Sequence, residues 1–159
     1  MDGYFDSDFS RVTREHYITG MPALNWPCSG TSTGDWHSLN FWGETFRIAL
    51  AGIQFPDTRQ YLNEIGVYNA TEEFKRQRLD IQGKTIWMAD HRRAAADLMI
   101  KQAALGKHHN MVSLADWFPS EDAFQGAIDV ITLATPMLPT EQGDLIDRWL
   151  EEERVNFRR

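Results

Sequence analysis

The sequence predicts one helix-rich α+β domain with a small sheet and an irregular, aromatic-rich N-terminal third. Its 159 residues fit a single domain, 1–159, and a hydrophobic content of 42% is enough to build a core. Apolar residues recur with the helical period in the later two thirds of the chain. Residues 1–10 are expected to form a loose acidic tail, and residues 152–159 a frayed C-terminus.

The N-terminal third is expected to consist mainly of turns and loops. Residues 16–19 form a β-prone run, and residues 25–38 are rich in Gly, Ser, Thr and Pro, which indicates a long loop. In residues 45–50 the side chains alternate as in a strand, but a helix over residues 40–51 is an equally good interpretation.

Capping residues mark the next elements. Asp57 is expected to cap a short helix that ends before Gly66, and Thr71 a second helix that ends at residues 82–83. Residues 84–89 are predicted to form a strand.

The strongest predicted helix begins after the cap Asp90 and ends near Leu105. The core-facing stripe of this helix consists of Ala96, Met99, Ile100 and Ala103. Another face of the helix carries Arg93, Asp97 and Lys101 at intervals of four residues, and the last two stand in the favoured order of an ion pair.

Two more helices complete the prediction. Ser120 is expected to cap a helix to about Ala134, and Thr140 is expected to cap the last one. Their inward residues are predicted to be Phe124, Ala127, Ile128 and Ile131 in the first, and Ile146, Trp149 and Leu150 in the second.

The charge balance narrows the classes of ligand. A net charge of −7 argues against nucleic acid as the primary ligand, since phosphate binding needs clustered Lys and Arg.

No apolar run is long enough to cross a membrane, and the first residues do not resemble a signal peptide. With a lone cysteine, Cys28, no intrachain disulfide is expected. These features favour a cytoplasmic protein, with its oligomeric state open.

Two places could carry chemistry. Asp35 and His37 lie two residues apart, so in an extended segment they share a side, and the carboxylate could orient the imidazole as a general base. His91, Arg92 and Arg93 stand at a helix N-terminus, where His91 is a further catalytic candidate and the two arginines are candidates for anion binding. The alternative is that Asp35 only forms a turn and that the helix cap occupies the amides an anion would need.

No metal or cofactor is expected. The sequence has no paired cysteines and none of the common zinc, phosphate-loop or dinucleotide motifs. The adjacent His108 and His109 diverge from one another and are interpreted as part of an exposed loop, and Cys28 as a tolerated thiol.

Three tryptophans, Trp26, Trp36 and Trp42, crowd into one short stretch. They could line a pocket, anchor an interface with a partner, or brace the long loop against the helices.

Two functional hypotheses follow. The first is a non-enzymatic protein that binds a basic protein partner, for example a bacterial antitoxin, immunity protein or other defence component, with the three tryptophans as candidate anchors. The second is a small hydrolase or transferase that acts on a phosphate-bearing substrate through Asp35 and His37 together with His91, Arg92 and Arg93.

Overall fold

The structure is a computed structural model that describes residues 8–27, 42, 47–107 and 113–158. Helices dominate these segments, with two short strands between them, so the predicted helix-rich α+β class is confirmed. The helices are α1 (Gly20–Leu24), α2 (Arg59–Leu62), α3 (Thr71–Arg76), α4 (His91–Ala104), α5 (Leu114–Trp117), α6 (Glu121–Ala134) and α7 (Thr140–Phe157). The strands are β1 (Val67–Asn69) and β2 (Trp87–Ala89), and single 3-10 turns occupy Phe9–Arg11 and Thr135–Met137.

A small sheet lies beside the helices. Strands β1 and β2 pair antiparallel, with Tyr68 opposite Met88. Ile18, in the predicted β-prone run, bridges both Leu50 and Met88. Ile48 and Leu50 therefore lie in extended backbone. For these two residues the strand interpretation is correct and the helix over residues 40–51 is not. The prediction found β2 but missed β1, because three half-buried residues carry too short a pattern.

Helix α4 forms the centre of the core. It packs against α1, α6 and α7, and its predicted stripe from Ala96 to Ala103 is buried. The Asp90 side chain caps it as predicted and accepts a hydrogen bond from the Arg93 amide at 2.9 Å. Gly66 is required beside this cap, because its φ is +77° and an added Cβ would lie 2.7 Å from Asp90 Oδ1.

The shorter helices begin close to the predicted positions but with different caps. Helix α2 begins after Thr58, although Asp57 still accepts a hydrogen bond from the Arg59 amide at 3.0 Å. The side chain of Asn69, not Thr71, caps α3 by accepting from the Thr71 amide at 3.0 Å. This helix ends at Arg76, well before the predicted stop.

Phe9 and the last turn of α7, near the two ends of the described residues, are more ordered than the sequence indicates. Phe9 is buried and meets the ring of Phe74 edge-on, so the last residues of the predicted loose tail pack on the core. Helix α7 continues to Phe157, past the point of predicted fraying, because Phe157 stacks on Phe124 at 4.1 Å. Of the two caps predicted for the last helices, one is present. Ser120 caps α6 as predicted, whereas α7 begins at Thr140 after Pro139 without a side-chain cap. No helix in the described segments is both long and apolar enough to cross a membrane.

Candidate functional site

A cluster of buried polar groups surrounds Asp97 of α4. One oxygen of its carboxylate, Oδ1, accepts hydrogen bonds from Thr58 Oγ1 at 2.5 Å and from Arg93 Nε at 3.2 Å. The other, Oδ2, accepts from Tyr17 at 2.8 Å and from Thr19 at 2.7 Å. All five side chains are fully buried. We call these residues the Asp97 cluster.

The other two nitrogens of the Arg93 guanidinium also donate hydrogen bonds. Its Nη1 donates to the carbonyl of Ile65 at 2.6 Å, and its Nη2 donates to Thr58 Oγ1 at 3.1 Å. The guanidinium carbon lies 5.3 Å from the centre of the Tyr17 ring. Arg93, a predicted anion-binding residue, thus faces the interior, where each of its three nitrogens donates a hydrogen bond within the protein.

The Tyr17 hydroxyl acts as a donor and not as a base. Burial raises the pKa of Tyr17 well above its ordinary value of 10.0, and the negative charge of Asp97 raises it further. The hydroxyl therefore keeps its proton and holds it against the carboxylate. The Asp97 cluster is a closed ion pair with hydroxyl donors, and it joins α4 to segments near residues 17, 58 and 65.

His91 is the second predicted site residue that lies in the core. Its side chain is fully buried, and Nε2 lies 2.5 Å from the carbonyl oxygen of Trp26, to which it donates. A general base must reach a substrate, and this ring nitrogen meets main chain instead. The structure therefore separates His91 from solvent. Asp35 and His37, the other catalytic candidates, lie outside the described residues.

Arg92 is the predicted anion-binding residue that does reach the surface. It is partly exposed, and its Nη2 donates to Asp90 Oδ2 at 2.9 Å. The other oxygen of Asp90 accepts from the Arg93 amide. The cap thus occupies the helix N-terminus, which was the alternative to anion binding.

Trp26 and Trp42 form part of the aromatic core. Trp26 stacks on Phe74 at 4.1 Å, and Trp42 meets Phe74 edge-on at 5.5 Å. Their indole N–H groups donate to Glu73 and to the Pro22 carbonyl respectively. Since the two indoles are only 1% and 5% exposed, they brace the fold and cannot anchor a partner.

The other residues considered in the sequence analysis lie outside the described residues. Trp36, the third candidate anchor, lies outside the described residues, as do Cys28, His108 and His109. Within the described residues, no three His, Cys, Asp or Glu side chains group closely enough to hold a metal ion.

Two open grooves mark the surface. One, of about 390 Å³, lies between the start of α6 and the end of α7 and is lined by Phe124, Phe157, Arg154 and Arg158 among others. The second, of about 370 Å³, runs along residues 79–85 beside α3. Neither is lined by the Asp97 cluster or by His91.

The outer face of α7 carries several exposed acidic side chains. Between Thr140 and Glu152 this helix carries five exposed carboxylates and one base, Arg148. Three of the acids, Glu141, Asp144 and Asp147, are spaced by three residues, so they project from one side. We define the acidic face as Glu141, Asp144, Asp147, Glu151 and Glu152.

No protein-family model matches the chain, and no curated protein and no solved structure matches it either.

Proposed function

We propose that this chain is a non-enzymatic, cytoplasmic domain that binds a basic protein partner on the acidic face of α7. The observation that carries the proposal is the exposure of Glu141, Asp144 and Asp147 on one side of a helix, with no ion pair to any of them within the described residues. Such carboxylates attract an oppositely charged surface over about 8–10 Å at physiological salt.

Charge alone adds little affinity, so the interface also needs an apolar contact. Val155 is 48% exposed and lies four residues after Glu151, one turn further along the same side of α7. It takes the role of anchor, one of the alternatives considered for the tryptophans, two of which lie in the core. A partner that places a basic segment on the acidic face would cover Val155 at its end.

The buried state of His91 and Arg93 supports a binding protein over the enzyme hypothesis. The hydrolase or transferase expected from the sequence would use both groups at a cleft, whereas both face the interior and donate hydrogen bonds within the protein. Antitoxins and immunity proteins, which act by covering another protein, are the class that this proposal favours.

The test compares two triple variants that remove the same charge. The first, Glu141→Gln/Asp144→Asn/Asp147→Asn, neutralises the acidic face. The control, Glu15→Gln/Glu64→Gln/Glu72→Gln, neutralises three exposed acids on other elements. Each is used as bait in affinity capture with quantitative mass spectrometry, and association rates of the captured protein are measured at several salt concentrations.

We expect the wild type and the control to retain a stoichiometric basic protein that the acidic-face variant loses. The association rate should fall with salt in the first two and should be slower and less salt-dependent in the third. Equal retention by both triple variants would show that the acidic face is not the binding surface. Absence of any stoichiometric protein with the wild-type bait would contradict the binding function itself.

A further inference from the structure

Glu153 is a buried acid on the inner side of α7. It follows Leu150 by three residues and is only 5% exposed. Its carboxylate accepts hydrogen bonds from the backbone amide of Leu114, the first residue of α5, and from the side chain of Trp149. The residue that precedes α5, Ser113, makes no capping bond with its own side chain. Glu153 therefore caps α5 from a different helix.

One oxygen of this carboxylate is left over. Within the described residues, Glu153 Oε2 is buried and has no hydrogen-bond partner, so the bonds from Leu114 and Trp149 fall on Oε1. An ionised carboxylate with an unpartnered buried oxygen is costly, because that oxygen has lost water without a replacement. A proton on Oε2 removes the charge and leaves Oε1 free to accept.

Among the described residues, the charges that act most strongly on Glu153 are negative. Burial raises its pKa above the ordinary value of 4.5, and the negative charges of Asp116 on α5 and Glu152 on α7 add to the rise. The nearest base on α7, Arg154, pairs with Glu151 at 3.6 Å.

The other described elements packed on α7 carry the following charged groups. Lys107, just beyond α4, lines a small cavity with Leu145 and Trp149, about one turn before Glu153. The 3-10 turn Thr135–Met137 carries no charged residue. Glu121 of α6 lines a groove with Arg154 and Arg158 at the C-terminal end of α7.

We propose that the junction between α5 and α7 is a proton-sensitive contact, in which a proton on Glu153 Oε2 holds α5 firmly and its loss loosens the junction. The contribution of this carboxyl to stability is fully present below the unfolded-state value of 4.5. It is lost as the pH rises through the higher value of the folded state. Each unit between the two values changes the opening equilibrium by about tenfold.

The experiment measures amide hydrogen exchange at Leu114–Trp117, corrected for the intrinsic pH dependence of exchange, at pH values from about 4.5 to about 8. In the wild type, we expect the opening constant of α5 to increase several-fold as the pH rises. Glu153→Gln, which is uncharged and similar in shape, should show an almost flat profile. Glu141→Gln, which changes an exposed acid at the opposite end of the same helix, is the control and should keep the wild-type rise.

A second variant and a direct titration cover the case in which Glu153→Gln does not fold. Asp116→Asn removes a neighbouring negative charge, so the rise in opening should begin at lower pH and be smaller. The ¹³C signal of the Glu153 carboxyl in the wild type should titrate above 4.5. An unchanged rise in Glu153→Gln, no change in Asp116→Asn, or a carboxyl that titrates at or below 4.5 would overturn the proposal.

Discussion

Replacement of Asp97 with Asn tests whether the Asp97 cluster holds the domain together. The change keeps the size of the side chain but removes its charge, so Arg93 becomes an uncompensated buried cation. In the wild type, four donors point at the two carboxylate oxygens of Asp97. The change replaces one of these oxygens with an NH₂ group, which faces those donors and cannot accept their hydrogen bonds. Breaking a buried ion pair on one side typically costs about 3–5 kcal/mol.

This cost is large compared with the stability of an ordinary domain, about 5–15 kcal/mol. For a chain of this size, about 1 kcal/mol lowers the melting temperature by about 2–4 °C, so a decrease of about 10 °C is expected. The assay is urea unfolding followed by circular dichroism, with thermal melting as a second readout. Asp129→Asn is the matched control, since that acid is exposed on α6 and accepts one hydrogen bond from Gln125; we expect it to change stability by less than about 0.5 kcal/mol.

Equal free energies of unfolding for Asp97→Asn and Asp129→Asn would refute this role of the ion pair. A much smaller urea dependence of unfolding in Asp97→Asn, with an unchanged free energy, would also refute it. Such a result would mean that the substitution changed the compactness of the native or denatured state and not the ion pair.

Two further predictions concern the backbone and the response to alkali. Asn63 occupies the first central position of a type II′ turn, with φ 51° and ψ −130° and a bond from the Ile65 amide to the Leu62 carbonyl at 3.1 Å. Asn63→Gly should therefore raise the free energy of unfolding, measured by urea unfolding, by about 1 kcal/mol. The same change at Asn156, inside α7, should lower it by about as much. A loss of stability at both positions would contradict the turn assignment. Because the pKa of Tyr17 is raised in the folded state, its contribution to stability is fully present below the unfolded value of 10.0 and is lost as the pH rises above it. Tyr17→Phe should unfold with a shallower pH dependence in that range, and an identical slope in both proteins would show that Tyr17 is not the group responsible.

Local signals in the sequence were sufficient for the helices with strong caps. Asp90 and Ser120 each precede an apolar stripe, and both cap through their side chains as predicted. Such contacts join residues three positions apart, so the pattern contains both partners. Helices α2 and α3 are four and six residues long, and their boundaries depend on neighbouring turns that propensity does not specify.

The role of α4's polar face could not be predicted in the same way. Arg93 and Asp97 are spaced as an exposed pair would be, and charged residues are rarely buried. Their partners, Tyr17 and Thr58, are 80 and 39 residues away from Asp97 in sequence. The third residue of the face, Lys101, is only partly buried and covers the ring of Phe55 at 4.3 Å, so one face has two environments.

The packing partner of the tryptophans could not be predicted, for a related reason. Trp26 and Trp42 lack helical spacing, which favoured a role outside a helical core. Their common partner, Phe74, lies on α3, a short helix far along the chain. The residue that would have identified the core is therefore not near the tryptophans in sequence, although a brace against the helices was among the alternatives.

The burial of these polar groups bears on what a partner would encounter. The charges of Asp97 and Arg93 are opposite and adjacent, so their field largely cancels at a distance. Asp90 is similarly paired with Arg92, which leaves exposed carboxylates as the main source of the negative potential. On α7 the inner acid, Glu153, holds α5, while Glu141, Asp144 and Asp147 face outward. One helix thus combines a proton-sensitive internal contact with an external charged surface. Neutralising the outer acids should change association without loosening α5, and Glu153→Gln should do the reverse, so the two proposals can be separated within one set of variants.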